Sequence, residues 1–283
     1  MYRSIIVPID GSLTSLDALK QAFRIEKASI TVVCAIPFSG IDLSLLDLQT
    51  LKTNVQEKLK QFCDTALDAA AEIARDKSAS IETICEVGQP HEIIVKIAEE
   101  RGCDLIVMGR RGLGRIERAL TGSVTARVIG FSPIDVLVVP RDSSLGWKRI
   151  VLATDGSEFS KNATKRAMEL VKASGGELKV VSATDMASEF HPLSAELTEK
   201  LCEWPRYCVS DVREQAVTIG VHPECIVRQA EAYKAILSVA EECGANLIVM
   251  GSHGRTGLKR LLMGSVAEKV IGYASCPVLI IKR

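Results

Sequence analysis

Glycines, hydroxyl residues and cations recur in one spacing twice along this chain. Gly109-Arg110-Arg111-Gly112 is followed, after nine intervening residues, by Gly122-Ser123, and Gly251-Ser252-His253-Gly254, again after nine, by Gly264-Ser265. Each group follows an apolar run, residues 104–108 or 246–250, and leads into a stretch of helical spacing. That pattern suits a phosphate cradle: glycines let backbone N–H groups turn toward an anion, and the helix start adds unpaired N–H groups and the positive end of a dipole. Ser123 and Ser265 are expected to cap those helices. Charge agrees, since the first loop carries Arg110, Arg111, Arg115 and Arg118 against Glu117, and the second Arg255, Lys259 and Arg260 with no acid. The rival reading is a tight turn followed by an ordinary helix cap.

Other phosphate motifs do not fit. Gly109 to Gly114 has Walker A spacing but is followed by Arg115, and no G-x-G-x-x-G follows a strand. Asp10-Gly-Ser12 and Asp155-Gly-Ser157 stand upstream of the two loops. An aspartate there either forms a turn or accepts a hydrogen bond from a ribose hydroxyl or base edge, and the residues alone leave both open. Catalytic groups are missing from the pattern. No carboxylate pair is placed for acid–base work, His253 is the one histidine in either loop, and His91, His191 and His222 match no metal spacing.

The elements that must position these groups are themselves duplicated. Residues 4–12 reappear as 149–157, with Asp155 lying 145 residues after Asp10, so two copies of one domain are expected, 1–142 and 146–283, divided in the turn-rich segment 140–146. Strands are expected at 4–9, 30–36, 81–86, 104–108 and 136–139, then 149–154, 178–183, 224–228, 246–250 and 278–281. Helices are expected at 13–26, 44–75, 91–101 and 123–130, then 158–173, 194–219, 231–243 and 265–273. This alternation predicts an α/β fold of two Rossmann-like domains, each a five-stranded parallel sheet flanked by helices, with ligands at the carboxyl ends of strands. The halves differ most at 37–60 and 184–207, where amphipathic stretches read as covering helices and are the first place to seek partner specificity.

Composition narrows the rest. In 283 residues aromatics make up only 4%, so the cores must be built of Val, Ile, Leu and Ala, as in sheets buried on both faces. With 35 basic and 35 acidic residues the formal charges cancel, and no global field draws the chain to nucleic acid or an anionic membrane. Nine cysteines include no C-x-x-C; Cys34, Cys85, Cys103 and Cys276 read as buried hydrophobes in a reducing compartment, and Cys202, Cys208 and Cys225 as the more exposed. The opening residues read as a strand with no signal-type apolar region, which predicts a cytoplasmic protein.

Asp-Gly-Ser, G-x2-G-x9-G-[ST] and the closing run Ser275-Cys-Pro-Val-Leu-Ile-Ile281 together resemble the universal stress proteins of the UspA type, as two tandem copies over essentially the whole chain. The second loop follows the family pattern closely. The first departs from it, with Arg110-Arg111 in place of Ser-His and Ile134-Asp135 in place of Cys-Pro. The resemblance implies ATP bound in each half, with ADP or AMP as alternatives and accompanying Mg²⁺ left open. It implies base and ribose contacts near Pro8, Asp10 and Ala35, and near Ala153, Asp155 and Ala183. Phosphate contacts are implied along the first loop, with Gly112, Gly114, Arg115, Gly122, Ser123 and Val124, and along the second, with Arg255, Gly257, Gly264, Ser265 and Val266. It further implies an intrachain pseudo-dimer joined through 136–139 and 278–281, a possible homodimer, and a nucleotide-dependent receptor or signalling role with at most slow ATP hydrolysis. A slow ATPase or phosphotransferase, and an adaptor whose nucleotide is structural, are the alternatives.

Overall fold

The computed structural model describes residues 1–37, 49–111, 121–184, 195–255 and 263–282. The first half runs β1 (Ser4–Ile9), α1 (Leu13–Ala22), β2 (Ser29–Ile36), α2 (Gln49–Asp76), β3 (Glu82–Val87), α3 (Pro90–Glu100), β4 (Leu105–Gly109), α4 (Ser123–Phe131) and β5 (Asp135–Val139). The second repeats the order with β6 (Arg149–Ala153), α5 (Glu158–Ser174), β7 (Glu177–Thr184), α6 (Ala195–Thr218), β8 (Glu224–Gln229), α7 (Ala232–Glu242), β9 (Leu247–Gly251), α8 (Ser265–Tyr273) and β10 (Val278–Ile281).

The ten strands form one sheet in the order β3-β2-β1-β4-β5-β10-β9-β6-β7-β8. Within each half every pairing is parallel. The halves join by the antiparallel pair β5–β10, with Val138 opposite Val278, Leu137 opposite Leu279 and Val136 opposite Ile280. Two short apolar edges that would otherwise be open are thereby closed. The outer edges, β3 and β8, are instead blunted by charge, including Glu82, Glu86, Glu224 and Arg228.

Alternate residues of the central strands point to opposite faces, and both faces are apolar. Ile5 and Val7 belong to the layer covered by α1, α2, α5 and α6, whereas Ile6 belongs to the layer covered by α3, α4, α7 and α8. Burial on both sides is why the strands read as continuous Val/Ile/Leu runs. One helix ends earlier than its periodicity suggests. After Ala22 the bonds Arg24 N–H to Gln21 O and Ile25 N–H to Ala22 O tighten the chain, and Lys27 takes φ +61°, so α1 cannot continue to residue 26.

A buried polar cluster marks the junction of the halves. Asp135 accepts from the Tyr2 hydroxyl at 2.7 Å and from the Lys282 backbone N–H at 3.0 Å, with Arg166 Nε at 3.4 Å. Burial pushes the Asp135 carboxyl up, opposed by these donors. Lys282 in turn donates its ammonium to the Ile129 carbonyl.

Cys34, Cys103 and Cys276 are buried as expected, whereas Cys85, Cys202 and Cys208 depart from expectation. Cys63 and Cys85 form a disulfide, and Cys85, on the edge strand, is exposed. Cys202 and Cys208 are buried, at 3% and 2% exposure, because the inner face of α6 packs them against the sheet.

Candidate functional site

In each half the strand order reverses between the first and fourth strands, since β1 has β2 on one side and β4 on the other, as β6 has β7 and β9. Chains leaving such neighbours diverge to opposite faces and open a crevice at their carboxyl ends. Asp10 and Gly109 stand at one such crevice and Asp155 and Gly251 at the other.

The Asp-Gly-Ser turns are built alike. Gly11 and Gly156 take φ +76° and +78°, a conformation that favours glycine. Each aspartate folds back so that Oδ1 accepts from the serine two residues on, Ser12 N–H or Ser157 N–H, both at 3.0 Å. Ser12 and Ser157 then cap α1 and α5 by accepting from Ser15 N–H and Ser160 N–H. Thus Asp10 and Asp155 form the turn, and in the second half a further carboxylate oxygen faces the glycine loop: Asp155 Oδ2 accepts the Arg255 N–H at 2.9 Å.

The glycine loops are pinned at their bases. Gly122 N–H donates to Arg110 O and Gly264 N–H to Ser252 O, both at 2.9 Å. Gly109 and Gly251 admit no side chain: a Cβ would lie 2.7 Å from Thr14 O in one case and 2.6 Å from Phe159 Cβ in the other. At Gly254 a Cβ would lie 2.8 Å from Asp155 Oδ2. Gly112, Gly114, Arg115 and Gly257, with the remaining loop cations at 118, 259 and 260, lie outside the described residues.

The helices behind the loops correct one expectation. Gly122 and Gly264, in extended conformation, are the N-caps, and neither supplies a side-chain bond. Ser123 and Ser265 are already the first helical residues, too far into the turn to cap it. Val124 and Val266 follow them and are half-buried. First-turn N–H groups without a side-chain cap, at the positive end of a helix, suit an anion.

Arg110 and Arg111 part company. The Arg110 guanidinium crosses to the other half, where Nη1 donates to Gly272 O and Ala274 O at 3.0 Å each and to Ile271 O at 3.4 Å, closing the C-terminus of α8. Burial lowers its pKa, and neighbouring Arg111 lowers it further. Its side chain is therefore spent on the junction, while its carbonyl still holds Gly122. Arg111, exposed, is tied through its carbonyl to the Thr14 hydroxyl. The second half has Ser252, wholly buried, at the equivalent of Arg110, and its hydroxyl meets His253 Nδ1 at 3.2 Å. The His253 ring lies 5.3 Å from that of Phe159.

Pro8, Ala153 and Ala183 lie on the strands flanking the crevices, Pro8 and Ala153 buried and Ala183 half-buried, as is Ala35. The residues that sequence spacing did not single out come from the covering helices. Phe62 and Ala66 on α2, with Lys58, Gln61 and Thr65, border a cavity of about 450 Å³ that opens on Asp10 and Gly11. In the second half Trp204 on α6 donates Nε1–H to Asp155 O at 3.0 Å, and the Arg255 guanidinium stands 5.2 Å from the Trp204 ring centre. A Cβ at Gly156 would lie 2.9 Å from Trp204 and 3.0 Å from Cys208 Sγ. The difference between 37–60 and 184–207 was the available signal; their segments 38–48 and 185–194 lie outside the described residues.

Among the described residues no group of three or more His, Cys, Asp or Glu is placed to hold a metal, and no helix is long and apolar enough to cross a membrane.

Comparison with known proteins agrees with this architecture. The model of the universal stress protein family matches residues 1–140 and again 146–282. A universal stress protein of Methanocaldococcus jannaschii is 38% identical over 142 residues, covering 48% of this chain and 83% of its own. One of Mycobacterium tuberculosis is 25% identical over 307 residues, covering 99% and 97%. A crystal structure of a universal stress protein from Archaeoglobus fulgidus superposes with a TM-score of 0.73 at 26% identity, over 99% of this chain and 96% of that one. The doubled switch-point crevice, the doubled glycine loop and these matches lead to one conclusion: the chain belongs to the universal stress protein family, in a tandem form.

Proposed function

We propose that residues 1–142 and 146–283 are two nucleotide-binding domains, each taking ATP, and that the protein acts as a cytoplasmic nucleotide-dependent receptor or signalling module. The observation that carries this reading is the paired loop base. Gly122 N–H to Arg110 O and Gly264 N–H to Ser252 O each hold a glycine loop beside a helix start without a side-chain cap. Phosphates would lie on these loops, and the ribose and base toward Asp10 or Asp155 and the second-strand residues Ala35 or Ala183. Mg²⁺, where it accompanies the nucleotide, would be held mainly by phosphate oxygens and water.

Binding rather than turnover is the expected output, because among the described residues no group stands ready to activate a water against a phosphate. The second crevice is expected to bind more tightly, since its loop follows the family pattern more closely than the first.

The test begins by denaturing the purified protein and identifying released nucleotide by mass. Titration calorimetry on nucleotide-free Gly112→Asp and Gly254→Asp then separates the crevices, because each variant puts a carboxylate where phosphate would sit. Loss of the tighter event in Gly112→Asp alone reverses the ranking, and no change in either variant refutes the loops as the site. ATP turnover at roughly 1 per second or faster, lost in Gly254→Asp, replaces the receptor reading with an enzyme.

A further inference from the structure

Three cysteines of the first half meet beside its crevice. Cys63 on α2 is bonded to Cys85 on β3, with their Cα atoms 6.1 Å apart. Cys34 on β2 is the register partner of Cys85, and its carbonyl oxygen lies 3.7 Å from Cys63 Sγ. Cys63 is buried whereas Cys85 is exposed on the edge strand, so Cys85 is the end of the bond nearer to solvent. Phe62, next to Cys63, borders the cavity that opens on Asp10 and Gly11. The bond therefore ties the site-facing turn of α2 to the edge of the sheet. In the second half the corresponding residues are Ser182, paired with Val227, and Pro205, which follows Trp204 as Cys63 follows Phe62. No disulfide can form there.

We propose that Cys63–Cys85 is a reversible thiol–disulfide exchange site whose reaction partner is a dithiol reductant, and that its state sets how firmly α2 closes the first crevice alone. One thiolate of the dithiol attacks Cys85 Sγ. The Cys63–Cys85 bond breaks, and Cys63 Sγ leaves with the electron pair and takes a proton. The second thiolate of the dithiol then displaces Cys85 from the mixed disulfide, so the protein gains two thiols and the dithiol becomes a disulfide. The return needs a disulfide oxidant, which reverses the same steps. Cys34 does not compete as the attacking group. Burial, and then Asp10, push its thiol up to about 11, which keeps it protonated at neutral pH. A cross-link between α2 and β3 limits the openings the helix can make, and its removal frees the wall of the cavity at Asp10.

The consequence for the crevice rests on the nucleotide reading above, whereas the exchange chemistry does not. The full chain is alkylated with iodoacetamide under denaturing conditions, before and after dithiothreitol, and weighed intact. Of nine cysteines, the seven free ones are expected to react before reduction and all nine after it. Hydrogen exchange across 57–76 of α2 is expected to quicken by about tenfold or more on reduction, with 199–218 of α6 unchanged. Cys85→Ser, at an exposed position, is expected to exchange like reduced protein without any reductant. ATP affinity of Gly254→Asp, in which the second crevice is blocked, is expected to differ at least about threefold between the redox forms. Nine adducts in air-oxidised protein, or equal exchange in both forms, overturns the site. Altered exchange with unchanged ATP affinity overturns its control of the crevice. If no nucleotide binds in either form the nucleotide reading fails, and the exchange site stands or falls on adduct number and exchange.

Discussion

Asp155 Oδ2 and the backbone N–H of Arg255 lie 2.9 Å apart, joining the tip of β6 to the glycine loop after β9. The residue between loop and carboxylate is glycine, and a Cβ at Gly254 would lie 2.8 Å from the same oxygen, close enough that the carboxylate would have to shift. Gly254→Ala forces the Asp155 carboxylate aside and breaks the tie. Nucleotide affinity of the second crevice is expected to fall about tenfold, roughly 1.4 kcal/mol, while the first is unaffected. Calorimetry on nucleotide-free protein measures both events, and unchanged affinity would show that the tie plays no part in binding.

Arg110 carries positive charge at a glycine loop yet donates to Gly272 O and Ala274 O of the other half. Arg110→Ala is expected to lower stability by about 1–3 kcal/mol, through lost charged hydrogen bonds and an uncapped α8 C-terminus. Nucleotide affinity of the first crevice should change less than about threefold, because the loop base uses only the backbone of residue 110. Urea unfolding and calorimetry separate these outcomes. A large loss of affinity with stability intact would mean that the guanidinium serves the ligand.

Asp135 is a buried carboxylate whose pKa is raised by its burial. The folded state therefore holds its proton to higher pH than the unfolded chain does. As pH rises from the ordinary carboxylate range toward neutrality, the contribution of Asp135 to stability falls. Asp135→Asn, which still offers an oxygen to Tyr2 and Lys282, should lack that fall. The stability of the native chain minus that of the variant is expected to decrease between about pH 4 and pH 7. Urea midpoints of both proteins across this range provide the check, and a difference that grows with pH would contradict the direction.

Trp204 bonds Asp155 O through its indole N–H and is 45% exposed. Nucleotide entering the second crevice should alter its emission. With Trp147→Phe removing the other tryptophan, the change is expected on ATP addition and lost in Gly254→Asp. An emission change that persists in Gly254→Asp would assign the signal to the first crevice or to a distant effect.

Much of this architecture was legible in the chain because it rests on local patterns that the sequence states twice. Apolar runs ending in Asp-Gly-Ser or in Gly-x-x-Gly specify strands whose tips must turn sharply, and the alternation with helical spacing makes a parallel sheet with crevices at those tips. The pairing of 136–139 with 278–281 was implied by the family resemblance, and two short apolar edges that folded proteins pair or cover agree with it. Other features depend on contacts between residues far apart in sequence, which no local pattern encodes. Arg110 reads as a phosphate cation until the antiparallel junction brings carbonyls of α8 within its reach. Ser123 and Ser265 read as caps until the extended backbone of Gly122 and Gly264 places the cap one residue earlier. Cys63 and Cys85 are separated by 22 positions, and only the packing of α2 against the β2–β3 edge makes them neighbours. The sequence by itself thus determined the family, the sheet and the location of two crevices, because these follow from short-range chemistry repeated in register. The tertiary structure decided which charged and sulfur-bearing side chains face the crevices and which are consumed in holding the halves together.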